Sequence, residues 1–140
     1  MLRATKSLAD APRCARAVFE RLADQDFAYL TTTGRTTGRE HTIEIWFGLH
    51  DRRVYFLSGG GAHADWVRNI QRNADVRLRI GSRSVRAKAR IVRPGTNEDD
   101  LARRLLDGKY QGWHEGKRLR SWARTALPVV IELSASRPRS

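Results

Sequence analysis

The stretch Tyr29-Leu30-Thr31-Thr32-Thr33-Gly34-Arg35-Thr36-Thr37-Gly38-Arg39 decides how the chain is read. Its first five residues are aromatic, apolar and β-branched, the composition of a strand. They run into a loop of two glycines, two threonines and two arginines. A second strand-like run, Val54 to Ser58, ends in Gly59-Gly60-Gly61 and is followed by Trp66-x-x-Asn69. Glycine lets backbone N–H groups approach a ligand closely, hydroxyls donate, and arginine supplies charge. Two such loops, each after a strand and one leading into a helix, point to a phosphate-bearing cofactor laid across the end of a sheet. The spacing Gly34-x3-Gly38 fits neither a P-loop nor a dinucleotide fingerprint.

Working outward, Phe27 to Thr33 reads as a strand, and His41 to Leu49 as a second with Ile43, Ile45, Phe47 and Leu49 on one side. Glu44 and Trp46 fall on the other. The turn Asp51-Arg52 leads to Val54 to Ser58. Ala64 to Asn73 reads as a short helix that turns Trp66, Val67 and Ile70 inward. In Val76 to Ile80 and Val85 to Ile91 apolar and basic residues alternate, predicting a hairpin that turns at Gly81-Ser82. Arg77, Arg79, Arg86, Lys88 and Arg90 share its outer face. Upstream, Asp10 to Asp24 predicts a helix with Pro12 in its first turn. Downstream, Thr96-x-x-Asp99 opens a helix as a capping-box variant whose end blurs between Gly108 and Gly116. Leu127 to Leu133 is a last strand. The sum is a mainly β chain with helices (α+β): about six short antiparallel strands in a small barrel, with the helices peripheral.

A chain of 140 residues reads as one domain, 1–140, with an N-terminal helix region over 1–26 and a flexible basic tail over 134–140. No run approaches the roughly 18 apolar residues of a membrane span. The lone Cys14 excludes an internal disulfide and fits a cytoplasmic protein. The four histidines, His41, His50, His63 and His114, show no metal-ligand spacing, so no metal is expected. The net charge of +12 attracts an anion. A nucleic acid is one such partner, but the basic hairpin contains no Phe, Tyr or Trp to stack on bases, which argues against it.

Taken in order, Leu30-Thr-Thr-Thr-Gly-Arg-x-Thr-Gly38, Ser58-x-Gly-Gly61, Trp66-x-x-Asn69, Asn73-Ala-Asp-Val76, and Ser121-Trp122 before Leu127-Pro128-Val-Val130 resemble the deazaflavin-dependent nitroreductase family. The match runs from about Phe27 to Leu133. The resemblance implies a split β-barrel and bound coenzyme F420, a deazaflavin with a phosphate and a polyglutamate tail. It also implies hydride transfer to electron-poor acceptors such as quinones or nitro compounds. In such chemistry the cofactor brings the reacting atom, so no catalytic triad or carboxylate pair is required. FMN is the alternative cofactor, and a small barrel that binds a ligand or nucleic acid without turnover is the non-enzymatic alternative.

Carried over, the resemblance makes Thr33, Gly34, Arg35, Thr36, Thr37 and Gly38 the phosphate and tail loop. Ser58, Gly59, Gly60 and Gly61 would lie along the ring system, with Trp66 and Asn69 beside it. The chain departs from the family at Thr36, His41 and Gly59, where the family commonly carries cations; Arg39 stands near enough to His41 to replace one of them. Glu44 places an acid near the supposed anion site. Tyr110, Trp113, His114 and Trp122, on a segment broken by glycines, are read as a wall for a planar acceptor. Tyr110 and His114 are the candidate catalytic groups. The competing reading makes the tryptophans core and His114 a surface residue. A homodimer and peripheral membrane association stay open as partners.

Overall fold

The computed structural model describes residues 21–133. The helix expected over Asp10 to Asp24 lies outside them except for its last turn, and the tail over 134–140 lies outside them entirely. Seven strands form one antiparallel sheet in the order β2-β1-β5-β6-β7-β4-β3. They are β1 (Ala28–Thr33), β2 (Glu40–Ile45), β3 (Gly48–His50), β4 (Arg53–Ser58), β5 (Asp75–Ile80), β6 (Arg83–Ile91) and β7 (Leu127–Leu133). Three α-helices stand among the described residues: α1 (Asp65–Arg72), α2 (Asn97–Gln111) and α3 (Ser121–Thr125). The curled sheet is the split β-barrel that the ordered motifs imply.

The strand count is seven rather than six because the run expected over His41 to Leu49 breaks at Trp46-Phe47 into β2 and β3. Its apolar alternation continues through the break, but the backbone of Phe47 is taken out of the ladder. Its N–H donates to Tyr110 Oη at 3.1 Å, and its carbonyl accepts from Lys109 Nζ at 3.1 Å. Both groups stand on α2. A pair of side chains some sixty residues away ends β2.

Elsewhere the pairing follows the alternation. The hairpin β5–β6 pairs Ile80 with Arg83 across Gly81-Ser82, and Arg77 with Arg86. The turn between β3 and β4 places Asp51 at φ 56°, a conformation that Asp tolerates better than most residues. Thr96 caps α2, its hydroxyl accepting from Asp99 N–H at 3.1 Å while the Asp99 carboxylate accepts from Gly95 N–H at 3.1 Å.

Two apolar clusters explain the burial pattern. The inner cluster fills the curl of the sheet with Leu30, Phe47, Val54, Phe56, Val67, Leu78, Val129 and Ile131. The second lies between the other face of β4 and β7 and the helices α2 and α3, with Tyr55, Leu57, Ala102, Leu106, Ala123 and Val130. Strands β4 and β7 are therefore buried on both faces, whereas β5 shows strict exposed and buried alternation.

On the outer face of β5 and β6 the cations lie on one side as expected, and most are engaged by acids. Arg77 pairs with both oxygens of Glu40 (2.9 and 3.3 Å), and Lys88 pairs with Asp75. Arg90 bridges Glu98 and Glu132, and Arg79 lies over the Tyr29 ring at 4.1 Å. Among the described residues this leaves Arg86 as the one cation of that row without a partner. Much of the field this face would offer a polyanion is spent within the fold.

Candidate functional site

Strands β1 and β4 run in the same direction, because four antiparallel steps separate them in the sheet order. Their C-terminal ends, Thr33 and Ser58, therefore open at the same end of the sheet. The two glycine loops leave from there. The chain passes from Ser58 through Gly59–Gly61 into α1, and α1 packs back across β1.

Between α1 and the β1–β2 loop lies a cleft of about 620 Å³, ordinary in size for a small-molecule site. Arg35, Thr36, Thr37 and His41 line one side, and Asp65, Trp66 and Asn69 the other. The loop is held by its own hydrogen bonds: Gly34 N–H to Arg39 O at 2.7 Å, Gly38 N–H to Gly34 O at 2.9 Å, and Arg39 N–H to Thr37 Oγ1 at 3.2 Å. The N–H groups of Thr36 and Thr37 have no protein acceptor among the described residues. Gly34 leaves little room for a side chain: a Cβ there would lie 2.9 Å from His41 Nε2, which an exposed ring can yield, and 3.1 Å from the Arg39 carbonyl, which would have to shift slightly. Gly38 sits at φ 77°, where a side chain is strained.

Asn69 joins the two walls. It is buried, and its Oδ1 accepts from the Arg35 backbone N–H (3.2 Å) and from Arg35 Nη1 (2.9 Å). Its Nδ2 donates to Thr32 Oγ1 at 3.1 Å. Through these bonds Asn69 positions Arg35 while itself lining the cleft. Arg35 also pairs with Asp65, Nη2 to Oδ1 at 3.1 Å. Trp66 does double duty: it is half-buried against the inner cluster, edge-on to Phe56 at 6.0 Å, and it lines the cleft.

Glu44 does not intrude. It faces outward opposite Tyr29, whose hydroxyl donates to it at 2.8 Å. Glu40 does line the cleft, but Arg77 grips both of its oxygens and holds its carboxyl below the usual range. Ser58 is buried, its hydroxyl donating to Gly61 O at 3.0 Å, so it shapes the glycine loop. Gly59 and Gly60 are exposed beside it, and a Cβ at Gly59 would stand 4.0 Å from Trp122 Cδ1.

The aromatic segment is not gathered into the cleft. Tyr110 and Trp122 are half-buried against the second cluster with Trp46, a residue the sequence reading placed in a strand. Trp46 stacks flat on Tyr110, centroids 4.4 Å apart, and meets Trp122 edge-on at 5.4 Å. Besides accepting from Phe47, the Tyr110 hydroxyl directs its proton at Asp26 O at 2.8 Å, with Phe47 O a second acceptor at 3.1 Å. Trp113 lies under Arg104 with its Nε1 donating to Lys117 O, and His114 is exposed on the same loop. Asp107 pins that loop, accepting from Arg120 N–H at 2.8 Å. Tyr110 is thus a structural hub, and Trp122 stands nearest Gly59 through its Cδ1 edge. Among the described residues no group of His, Cys, Asp or Glu could hold a metal ion, and no helix is long and apolar enough to cross a membrane.

Lys109 was not singled out by any sequence signal. Burial pushes its ammonium down to about 8, against the opposing pull of Asp26 and Asp24. The charged form is therefore disfavoured in the folded chain, and the unfolded chain binds more protons between about pH 8 and the ordinary 10.5. Stability is expected to rise with pH across that window. The group is only half-buried, so the gain is on the order of 1 kcal/mol after solvent screening. Denaturant melts at pH 7.5 and 9.5 should show it in the parent and not in Lys109→Met; an equal rise in both would remove Lys109 as the cause.

The family model for F420H(2)-dependent quinone reductases matches residues 8–134. Among solved structures, a conserved hypothetical protein from Mycobacterium tuberculosis is similar at TM-score 0.71 and 17% identity, covering 95% of this chain and 87% of its own. An F420-H2 dependent reductase is similar at TM-score 0.60 and 18% identity, covering 76% of this chain and 94% of its own. HutZ, the heme storage protein from Vibrio cholerae, reaches TM-score 0.65 at 12% identity, covering 85% and 89%. At such identities these likenesses show the shared fold, not a shared ligand. No curated protein matches the chain in sequence.

Proposed function

Because the chain belongs to the F420H(2)-dependent quinone reductase family, we propose that it is an F420-dependent reductase whose acceptor is a planar, electron-poor quinone or nitro compound. The observation that supports this best is the cleft between the Gly34–Gly38 loop and α1. Its residues fit the anionic part of such a cofactor. Two adjacent N–H groups, on Thr36 and Thr37, are open to an acceptor, Arg35 is held in place, and Arg39 has no ion-pair partner among the described residues. A bound deazaflavin supplies the hydride. The chain's own part is to bind and orient: the Gly34–Gly38 loop takes the charged end, and Gly59 to Gly61, shaped by the Ser58 hydroxyl, give side-chain-free backbone at the same end of the sheet. Trp66 and Trp122 flank that loop and exclude water. We read Tyr110, engaged in backbone contacts, as structural rather than catalytic.

Fluorescence titration tests the reading. Saturable F420 binding at micromolar or tighter concentration is expected, with FMN weaker and both weakened by salt, since exposed charges are screened beyond about 10 Å at 0.1 M. Reduced F420 should then be consumed on adding menadione or a nitroaromatic. No saturation by either cofactor at tens of micromolar would sink the proposal.

Arg35→Ala gives a sharper check. A charge-assisted contact to phosphate is worth roughly 1.5–3 kcal/mol, so F420 affinity should fall about 10- to 100-fold. The apo melting temperature should move little, because Asp65 is exposed enough to keep the ion pair at about 0–1 kcal/mol and the backbone N–H of residue 35 still bonds Asn69 in the variant. Unchanged affinity would make Arg35 a purely structural residue.

A further inference from the structure

Asp65 is the unexplained group in the cleft. It is an acid lining a site whose other charged residues point to an anionic ligand, and its carboxylate pairs with the one arginine the fold takes trouble to place. The pair is lopsided. Arg35 is mostly covered, its side chain 29% exposed, and three further hydrogen bonds fix it: its backbone N–H and Nη1 to Asn69, and Nη1 to the Asp65 carbonyl. The Asp65 side chain is 86% exposed and has Arg35 as its only side-chain partner among the described residues. The cation is anchored and the anion is not. When a ligand anion arrives, the carboxylate gives way or stays as a neighbour, while Arg35 remains. The other acid of the cleft, Glu40, is not comparable, because Arg77 neutralises it from the far side with two contacts.

We propose that Asp65 is an internal competitor for Arg35 that sets the charge preference of the cleft, admitting a singly charged phosphodiester and penalising a doubly charged phosphomonoester. This rests on the cofactor reading of the cleft. Arg35's charge is already partly answered by Asp65 before a ligand binds, so the site offers less compensation for a second negative charge. A terminal phosphate of the FMN type carries nearly two charges at pH 7.5, its second pKa being about 6. The phosphodiester linking a deazaflavin to its tail carries one. What the ligand forgoes is the share of Arg35's attraction that the carboxylate has already taken; that loss scales with the ligand's charge and is screened by salt.

The test compares Asp65→Asn with the parent in titrations of FMN, riboflavin and F420 at low salt. Riboflavin shares the ring and ribityl chain of FMN and lacks the phosphate, so the ratio of the two affinities isolates the phosphate contribution. Asp65→Asn is expected to raise that ratio by about five-fold or more, to leave riboflavin unchanged, and to change F420 affinity by less than about three-fold. Adding Arg35→Ala should abolish the gain, because Asp65 acts through Arg35. An unchanged FMN-to-riboflavin ratio overturns the proposal, and so does an equal gain for FMN and F420. Asp65→Ser, run alongside with a thermal melt, keeps the comparison readable if the asparagine disturbs α1. Absence of F420 binding in parent and variant alike counts against the proposed cofactor, whereas the FMN-to-riboflavin ratio still decides the role of Asp65.

Discussion

Replacing Tyr110 by alanine is expected to destabilise the protein by about 3–5 kcal/mol, the cost of deleting a large aromatic from a packed cluster. For a domain of this size that lowers the melting temperature by very roughly 10–15 °C. Three losses combine. The ring no longer stacks on Trp46, the Phe47 N–H loses its acceptor, and Asp26 O loses its donor. Tyr110→Phe separates them, because it keeps the stack and removes only the hydroxyl; about 1–3 kcal/mol of the loss should remain. Neither variant, measured well below its melting point, should change the KM for a quinone by more than about three-fold. A Tyr110→Phe protein that melts like the parent but turns over more slowly would return Tyr110 to the acceptor site.

Asn69→Ala should cost about 2–3 kcal/mol, since it strips partners from the Arg35 N–H and from the buried Thr32 hydroxyl. The estimate sits low in the range for two groups because the Arg35 loop is near the surface and can take up water. Anion affinity should fall as well, because Arg35 loses its anchor. The contrast with Arg35→Ala is the useful part: one change lowers stability and affinity together, the other affinity almost alone. Paired thermal melts and cofactor titrations read both. An Asn69→Ala protein of unaltered stability would show that the network linking the two walls contributes little.

Much of this fold is legible in local pattern. The hairpin β5–β6 follows from alternation and a two-residue turn, α2 from its Thr96 cap, and β7 begins and ends where its apolar run does. The break at Trp46-Phe47 could not be read this way. Ile43, Ile45, Phe47 and Leu49 keep perfect alternation across it, and what cuts the strand is a tyrosine and a lysine on a helix formed much later in the chain. The cleft shows the same division. Glycines, threonines and Arg35 were visible because a loop advertises its chemistry in its composition. The burial of Asn69, the capture of Arg35 by Asp65 and the harmlessness of Glu44 depend on how α1 and β2 are turned, which no short window contains. The aromatics Tyr110 and Trp122 are ambiguous for a related reason: a core cluster and a stacking wall use the same residue types.

The latch at Phe47 also orders events in time. The hairpins β1–β2 and β5–β6 join neighbouring stretches of chain and can form in microseconds. The Tyr110 contact to Asp26 closes a loop of 84 residues, and β4 must find β7 across a comparable span. Closing such spans is entropically costly and returns nothing until both ends meet, so these steps come late. The Phe47 amide proton belongs to neither hairpin. It should exchange freely with solvent until α2 docks, and its protection would therefore mark the moment at which the two halves of the sheet become one cooperative unit.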